Sequence, residues 1–184
     1  MSRTPPTVRR ETPEDVDSVR RVVAGAFGGE QVAGLLDDLR ASVAWLDLGF
    51  VAEDRGRVVG AVFFCRGWVD APARLLDVLV LSPMAVHPDH QRAGIGTRLV
   101  TGAMRSLQHR TEPLVFLEGD PGFYSRVGFT AAGELGFTAP SLRIPVPAFQ
   151  VAILPGYVQG EMSGALVYPD VFWRHDSVGL RPEV

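Results

Sequence analysis

The stretch that decides the fold is Leu81-Ser-Pro-Met-Ala-Val-His-Pro-Asp-His-Gln-Arg-Ala-Gly-Ile-Gly-Thr-Arg-Leu-Val100. An apolar run ends in a proline-containing turn. Two glycines follow, Gly94 and Gly96, and then a segment with helical periodicity. A strand that passes through a glycine turn into a helix leaves backbone N–H groups unpaired at one point. The helix dipole puts partial positive charge at the same point. Such a place binds phosphate without a dedicated side chain. The stretch therefore predicts a phosphorylated ligand held by the main chain. Two glycines alone are also what an ordinary tight turn needs, so the rest of the chain has to decide.

Working outward, residues 76–86 form the most apolar run and read as a central strand buried on both faces. Residues 94–109 read as a helix with Ile95, Leu99, Ala103 and Leu107 on one stripe. Upstream, residues 7–10 suit a short strand. Thr12 and Pro13 open a helix carrying Val16, Val19, Val22, Val23, Ala26 and Phe27 at helical spacing. A second helix carries Val32, Leu35, Leu36 and Leu39. Residues 50–53 and 58–65 read as a hairpin turning at Asp54-Arg55-Gly56. Downstream, residues 114–117 form a buried strand, and 121–127 a short helix capped by Asp120 and ended by Gly128. Strands follow at 129–131 and 149–154, and a C-terminal hairpin is expected around 164–168. The proline-rich connector 133–148 gives no clear element. The order is mixed α/β. A regular dinucleotide fold would place its glycine turn after the first strand; here it comes mid-chain, after a hairpin.

Composition narrows the function. The 184 residues suit one domain, and 46% hydrophobic content supports a sizeable core. A net charge of -3 gives no basic field for nucleic acid. No apolar run approaches the roughly 20 residues of a membrane span, and the start Met1-Ser-Arg-Thr-Pro-Pro6 is polar, unlike a signal peptide. A cytoplasmic location is the expectation. A single cysteine, Cys65, excludes an internal disulfide and a Cys-rich zinc cluster. All 18 basic residues are arginine. With no lysine, neither a P-loop NTPase nor a pyridoxal enzyme can be built from this chain. His87 and His90 form a His-x-x-His beside Asp89, but they lie in a turn with no third ligand in view, so no metal is expected. No Gly-x-Ser-x-Gly elbow supports a serine hydrolase.

Three segments together resemble the GNAT superfamily, the Gcn5-related N-acetyltransferases. Gln91-Arg-Ala-Gly-Ile-Gly96 is similar to the family's acyl-CoA motif, Gln/Arg-x-x-Gly-x-Gly/Ala. Pro83-Met-Ala-Val-His-Pro88 resembles the strand end before it. Gly119-Asp-Pro-Gly-Phe-Tyr-Ser-Arg-Val-Gly-Phe129 resembles the later motif, in which a helix tyrosine precedes Gly-Phe. The region 149–172 is similar to that of the uncharacterised bacterial "predicted N-acetyltransferase" subgroup. The resemblance implies a single domain, with a core over 7–154 and an extension over 155–184. It implies a mixed central sheet of about seven strands with helices on both faces, splayed at the cofactor cleft, and a C-terminal hairpin.

The resemblance also implies the ligand and the chemistry. Acetyl-CoA would be the co-substrate, with a small-molecule or peptide amine as acceptor. The backbone of Met84, Ala85 and Val86 would pair with the pantetheine amides. Gln91, Arg92, Ala93, Gly94, Ile95, Gly96 and Thr97 would form the diphosphate cradle. Tyr124 would act as general acid toward the departing thiolate. Many family members carry a glutamate on the strand before the motif; here that alternating register holds Val80, Ser82 and Met84. Glu118 is the substitute base, with an edge carboxylate in solvent as the plain alternative. Trp45, Trp68 and Trp173 are candidates for lining the acceptor pocket, and residues 28–31 and 133–148 for its mouth. The missing strand glutamate motivates a rival: a non-catalytic acyl-CoA-binding or sensor module. A third reading is a homodimer paired through the apolar late strands.

Overall fold

The computed structural model describes residues 5–180. The first four residues of the polar start, and the last four of the expected 155–184 extension, lie outside the described residues. The chain forms two compact units, one from Met1–Phe64 and Ser82–Ser106, the other from Cys65–Leu81 and Leu107–Val184.

The first unit begins with β1 (Thr7–Arg10) and a single 3-10 turn at Pro13–Asp15. The Asp15 carboxylate accepts the Thr12 N–H at 2.9 Å and the Thr12 hydroxyl at 3.1 Å. It also forms a bidentate pair with Arg9, at 2.6 and 2.9 Å. This pairing holds its pKa down to about 2. The two helices α1 (Val16–Phe27) and α2 (Gln31–Arg40) follow, and α1 ends at Gly28 in the left-handed conformation. Strands β2 (Trp45–Asp54) and β3 (Arg57–Asp70) form the hairpin, longer at both ends than the sequence suggested. Its two-residue turn, Arg55 and Gly56, has positive φ at both positions, the geometry that matches strand twist.

Side chains alternate across β3. Ala61 and Phe63 face Val19, Val22, Val23 and Leu36 of α1 and α2. Gly60, on the opposite face, lies under Leu99 and Ile95 of helix α3 (Ile95–Ser106). Helices therefore cover both faces within this unit.

In the second unit, β5 (Leu114–Glu118) pairs antiparallel with β8 (Phe149–Ile153), Leu117 opposite Gln150 and Glu118 opposite Phe149. Phe116 packs edge-on against Phe137 at 5.0 Å and stacks on Phe149 at 5.7 Å. The short strands β6 (Thr130–Ala131) and β7 (Phe137–Thr138) complete this part, and β7 lies in the connector that the sequence left unassigned. Strand β4 (Leu75–Val86) and β5 run parallel.

All described strands belong to one mixed sheet, ordered β1-β2-β3-β4-β5-β8-β6. Among the described residues the expected C-terminal hairpin is not formed. Instead β9 (Gly164–Val167) pairs antiparallel with β3, Trp68 opposite Val167, and parallel with β7. The length of β3 is the reason: its far half extends past the hairpin and offers β9 a partner distant in sequence.

Candidate functional site

In the first unit, β4 leads into the turn that opens α3. The ladder between β4 and β5 has its register at Leu79–Val115 and Val80–Phe116. Met84, Ala85 and Val86 lie past it, and Pro83 has no N–H to offer a neighbour. After β4, one 3-10 turn at Pro88–His90 reverses the chain. The Gln91 carboxamide donates to the Val86 carbonyl at 3.1 Å. Gln91 thus ties the turn to the strand end.

Arg92 and Gly94 both have left-handed backbone, with φ of 58° and 76°. Among the described residues, the amides of Arg92, Gly94, Ile95, Gly96 and Thr97 have no acceptor, while that of Ala93 closes the turn. From Gly94 onward, the first to find one is Arg98, on the Gly94 carbonyl at 3.1 Å. A run of unpaired N–H groups in left-handed and helix-start geometry is an anion-binding concavity. A Cβ built on Gly94 meets nothing within 4 Å, so the space beside it is open. The Arg92, Thr97 and Arg98 side chains are exposed. His87 and His90 meet edge to face at 5.7 Å. No group of three His, Cys, Asp or Glu that could hold a metal occurs among the described residues.

In the second unit, helix α4 (Pro121–Tyr124) is opened by Asp120, whose side chain accepts the Gly122 N–H at 2.8 Å. Tyr124 packs edge-on against Phe123 and Phe129 at 4.9 and 5.6 Å. It is 8% exposed, and burial pushes its phenol up to about 12. The phenol is therefore protonated at neutral pH and available as a donor.

Glu118, at the end of β5, is half-buried rather than loose in solvent. Its Oε2 accepts the Gly179 N–H at 3.0 Å, and the Tyr168 hydroxyl donates to the same carboxylate. Burial raises its pKa above the usual carboxylate value, against these two bonds and the nearby Arg143 charge. Cys65 is fully buried and its thiol is pushed up to about 12, as for a core residue. Of the three tryptophans, Trp45 lies tilted against Phe63 at 6.0 Å with the Arg40 guanidinium over its ring. Trp68 lies on β3, and Trp173 is 43% exposed.

The sequence reading missed Gln150, Tyr168 and Gly179. Gln150 had a signal: a lone amide in the apolar run of β8, where a buried polar group must find a partner. Gly179 carried none, because its contact with Glu118 spans 61 residues of chain.

A sequence profile of the acetyltransferase (GNAT) domain matches residues 46–131. The uncharacterized N-acetyltransferase YjhQ of Escherichia coli K12 is 34% identical over 142 residues, covering 72% of this chain and 73% of that one. The crystal structure of the GNAT family N-acetyltransferase YhbS from Escherichia coli in complex with CoA superposes with a TM-score of 0.84. It is 28% identical and covers 95% of both chains. A GNAT family acetyltransferase from Brucella melitensis in complex with acetyl-CoA gives 0.72, at 26% identity over 91% of this chain and 97% of that one. With its mixed sheet, its glycine turn and these relatives, the chain belongs to the GNAT family of N-acetyltransferases.

Proposed function

We propose that the protein transfers an acetyl group from acetyl-CoA to a primary amine of a small molecule or peptide, by direct attack. The observation that carries this is the set of unpaired amides at Arg92 and at Gly94 through Thr97. In this reading they hold the CoA diphosphate, and the open side of Gly94 admits it. The Met84, Ala85 and Val86 backbone pairs with the pantetheine amides. Gln91 keeps the turn in shape through Val86. The catalytic core spans 7–154, carrying 155–184 as an extension.

The amine nitrogen attacks the thioester carbonyl and a C–N bond forms. The tetrahedral adduct collapses, the C–S bond breaks, and the electron pair leaves on sulfur. Tyr124 donates a hydrogen bond to that sulfur. A thiol has a reference pKa near 8.5, so full transfer from a phenol near 12 is uphill by about 5 kcal/mol. Tyr124 therefore stabilises the charge building on sulfur, and solvent completes the protonation. Glu118 takes the proton lost by the amine; burial raises its pKa, which makes it a stronger base than an exposed carboxylate.

The rival reading is a CoA-binding sensor, favoured by the absence of a carboxylate at Val80, Ser82 and Met84. The deciding experiment is thiol release from acetyl-CoA across a broad amine panel. Turnover supports the transferase. CoA binding by calorimetry with no turnover on any amine supports the sensor.

A further inference from the structure

We infer that Gln150 is a positioning residue for Tyr124, acting through Gly119. This rests on the reading of Tyr124 as the donor to the thioester sulfur.

Gly119 joins the end of β5 to the Asp120 cap of α4, and it is clamped on both sides. Its N–H donates to the Ala148 carbonyl at 3.0 Å. Its carbonyl accepts from Gln150 Nε2 at 3.1 Å. Gln150 is 1% exposed and sits on β8 opposite Leu117 and Ala131. The Tyr124 ring lies directly on Gly119. A Cβ at that position would come within 2.4 Å of Tyr124 Cε2 and 2.8 Å of Cδ2, closer than two carbons can approach. Tyr124 is otherwise held by packing and by its own backbone rather than by a hydrogen bond from its hydroxyl. Its N–H bonds to the Asp120 carbonyl, Phe123 and Phe129 meet it edge-on, and its hydroxyl has no partner among the described residues. The ring therefore rests on the Gly119 backbone, whose carbonyl is held by the buried Gln150 amide and whose N–H is held by the Ala148 carbonyl.

A buried glutamine in an apolar strand needs a compensating gain, because an unpaired amide there is costly. Fixing the seat of a side chain that must meet sulfur within hydrogen-bond distance supplies one, since a misplacement of about 1 Å can cost about 100-fold in rate.

The test uses the full chain, with acetyl-CoA and the amine panel for turnover, and CoA with tyrosine labelled at the ring hydroxyl carbon for NMR. The Tyr124 resonance is the one missing from Tyr124→Phe. Gln150→Leu is expected to lower kcat about tenfold with the acetyl-CoA KM unchanged. In the Tyr124→Phe background it is expected to cost nothing more. CoA is expected to shift the Tyr124 resonance in the native protein, and not in Gln150→Leu at equal CoA occupancy. If Gln150→Leu does not fold, Gln150→Met, which also removes the amide donor to Gly119, carries the test with the same expected pattern. Native turnover and a native Tyr124 shift in Gln150→Leu would overturn the inference while leaving Tyr124 in its role. So would an undiminished loss in the double mutant. A silent Tyr124→Phe, or no Tyr124 shift on CoA addition to the native protein, would overturn the Tyr124 reading and this inference with it. Where no amine turns over, the resonance decides alone.

Discussion

The turn at residues 92–97 and the strand end at residues 118–124 are built in opposite ways. In the first, the groups proposed to act are main-chain amides, and the Arg92, Thr97 and Arg98 side chains project into solvent. In the second, the groups proposed to act are side chains, Glu118 and Tyr124, and the main chain serves to hold them. A backbone-made site depends on local conformation: left-handed residues, a glycine, a helix start. A side-chain-made site depends on what distant segments deliver, here Gly179, Tyr168 and Gln150.

The contrast breaks most directly at Gly94. Gly94→Val places a β-branched side chain in a left-handed residue and fills the open space beside it. CoA affinity measured by calorimetry is expected to fall at least about 100-fold. Native affinity would show that the diphosphate does not pass there.

Tyr124→Phe tests the other half. It is expected to lower kcat by at least about tenfold and leave CoA binding intact, toward the low end of acid catalysis because the phenol donates without giving up its proton. Unchanged turnover would remove Tyr124 from the mechanism.

Glu118→Gln is expected to cost about tenfold in kcat and to change the pH profile. A base must be ionised, so the native kcat/KM rises with pH through the Glu118 pKa, which burial raises above its ordinary value. That acid limb should vanish in the variant. A profile that keeps its limb assigns the titration to another group.

The smallest effect sharpens the comparison. If amides rather than side chains hold the diphosphate, Arg98→Ala should weaken CoA binding by less than about fivefold, or about 1 kcal/mol. A much larger loss would make the first half a side-chain site as well.

This difference also explains what could be read in advance. Gly94 and Gly96 announce their own turn, and the stripe Ile95, Leu99, Ala103 and Leu107 announces the helix that follows; all four are buried. The Asp120 cap was legible for the same local reason, whereas Tyr124 was singled out by the resemblance of its motif to the family's. The partners of Glu118 were not, because proximity across the fold leaves no trace in spacing. Strand β9 shows the same limit. Its four residues read as strand, but nothing local says that Trp68 lies opposite Val167.

The central claim is that the amides of residues 92–97 hold a diphosphate. Backbone amide NMR with two ligands tests it: CoA, and pantetheine, which carries the same amides and thiol without the diphosphate. CoA is expected to shift the amide signals of Arg92 through Thr97 strongly, and pantetheine to leave them in place. Equal shifts with both ligands, or none with saturating CoA, would contradict it.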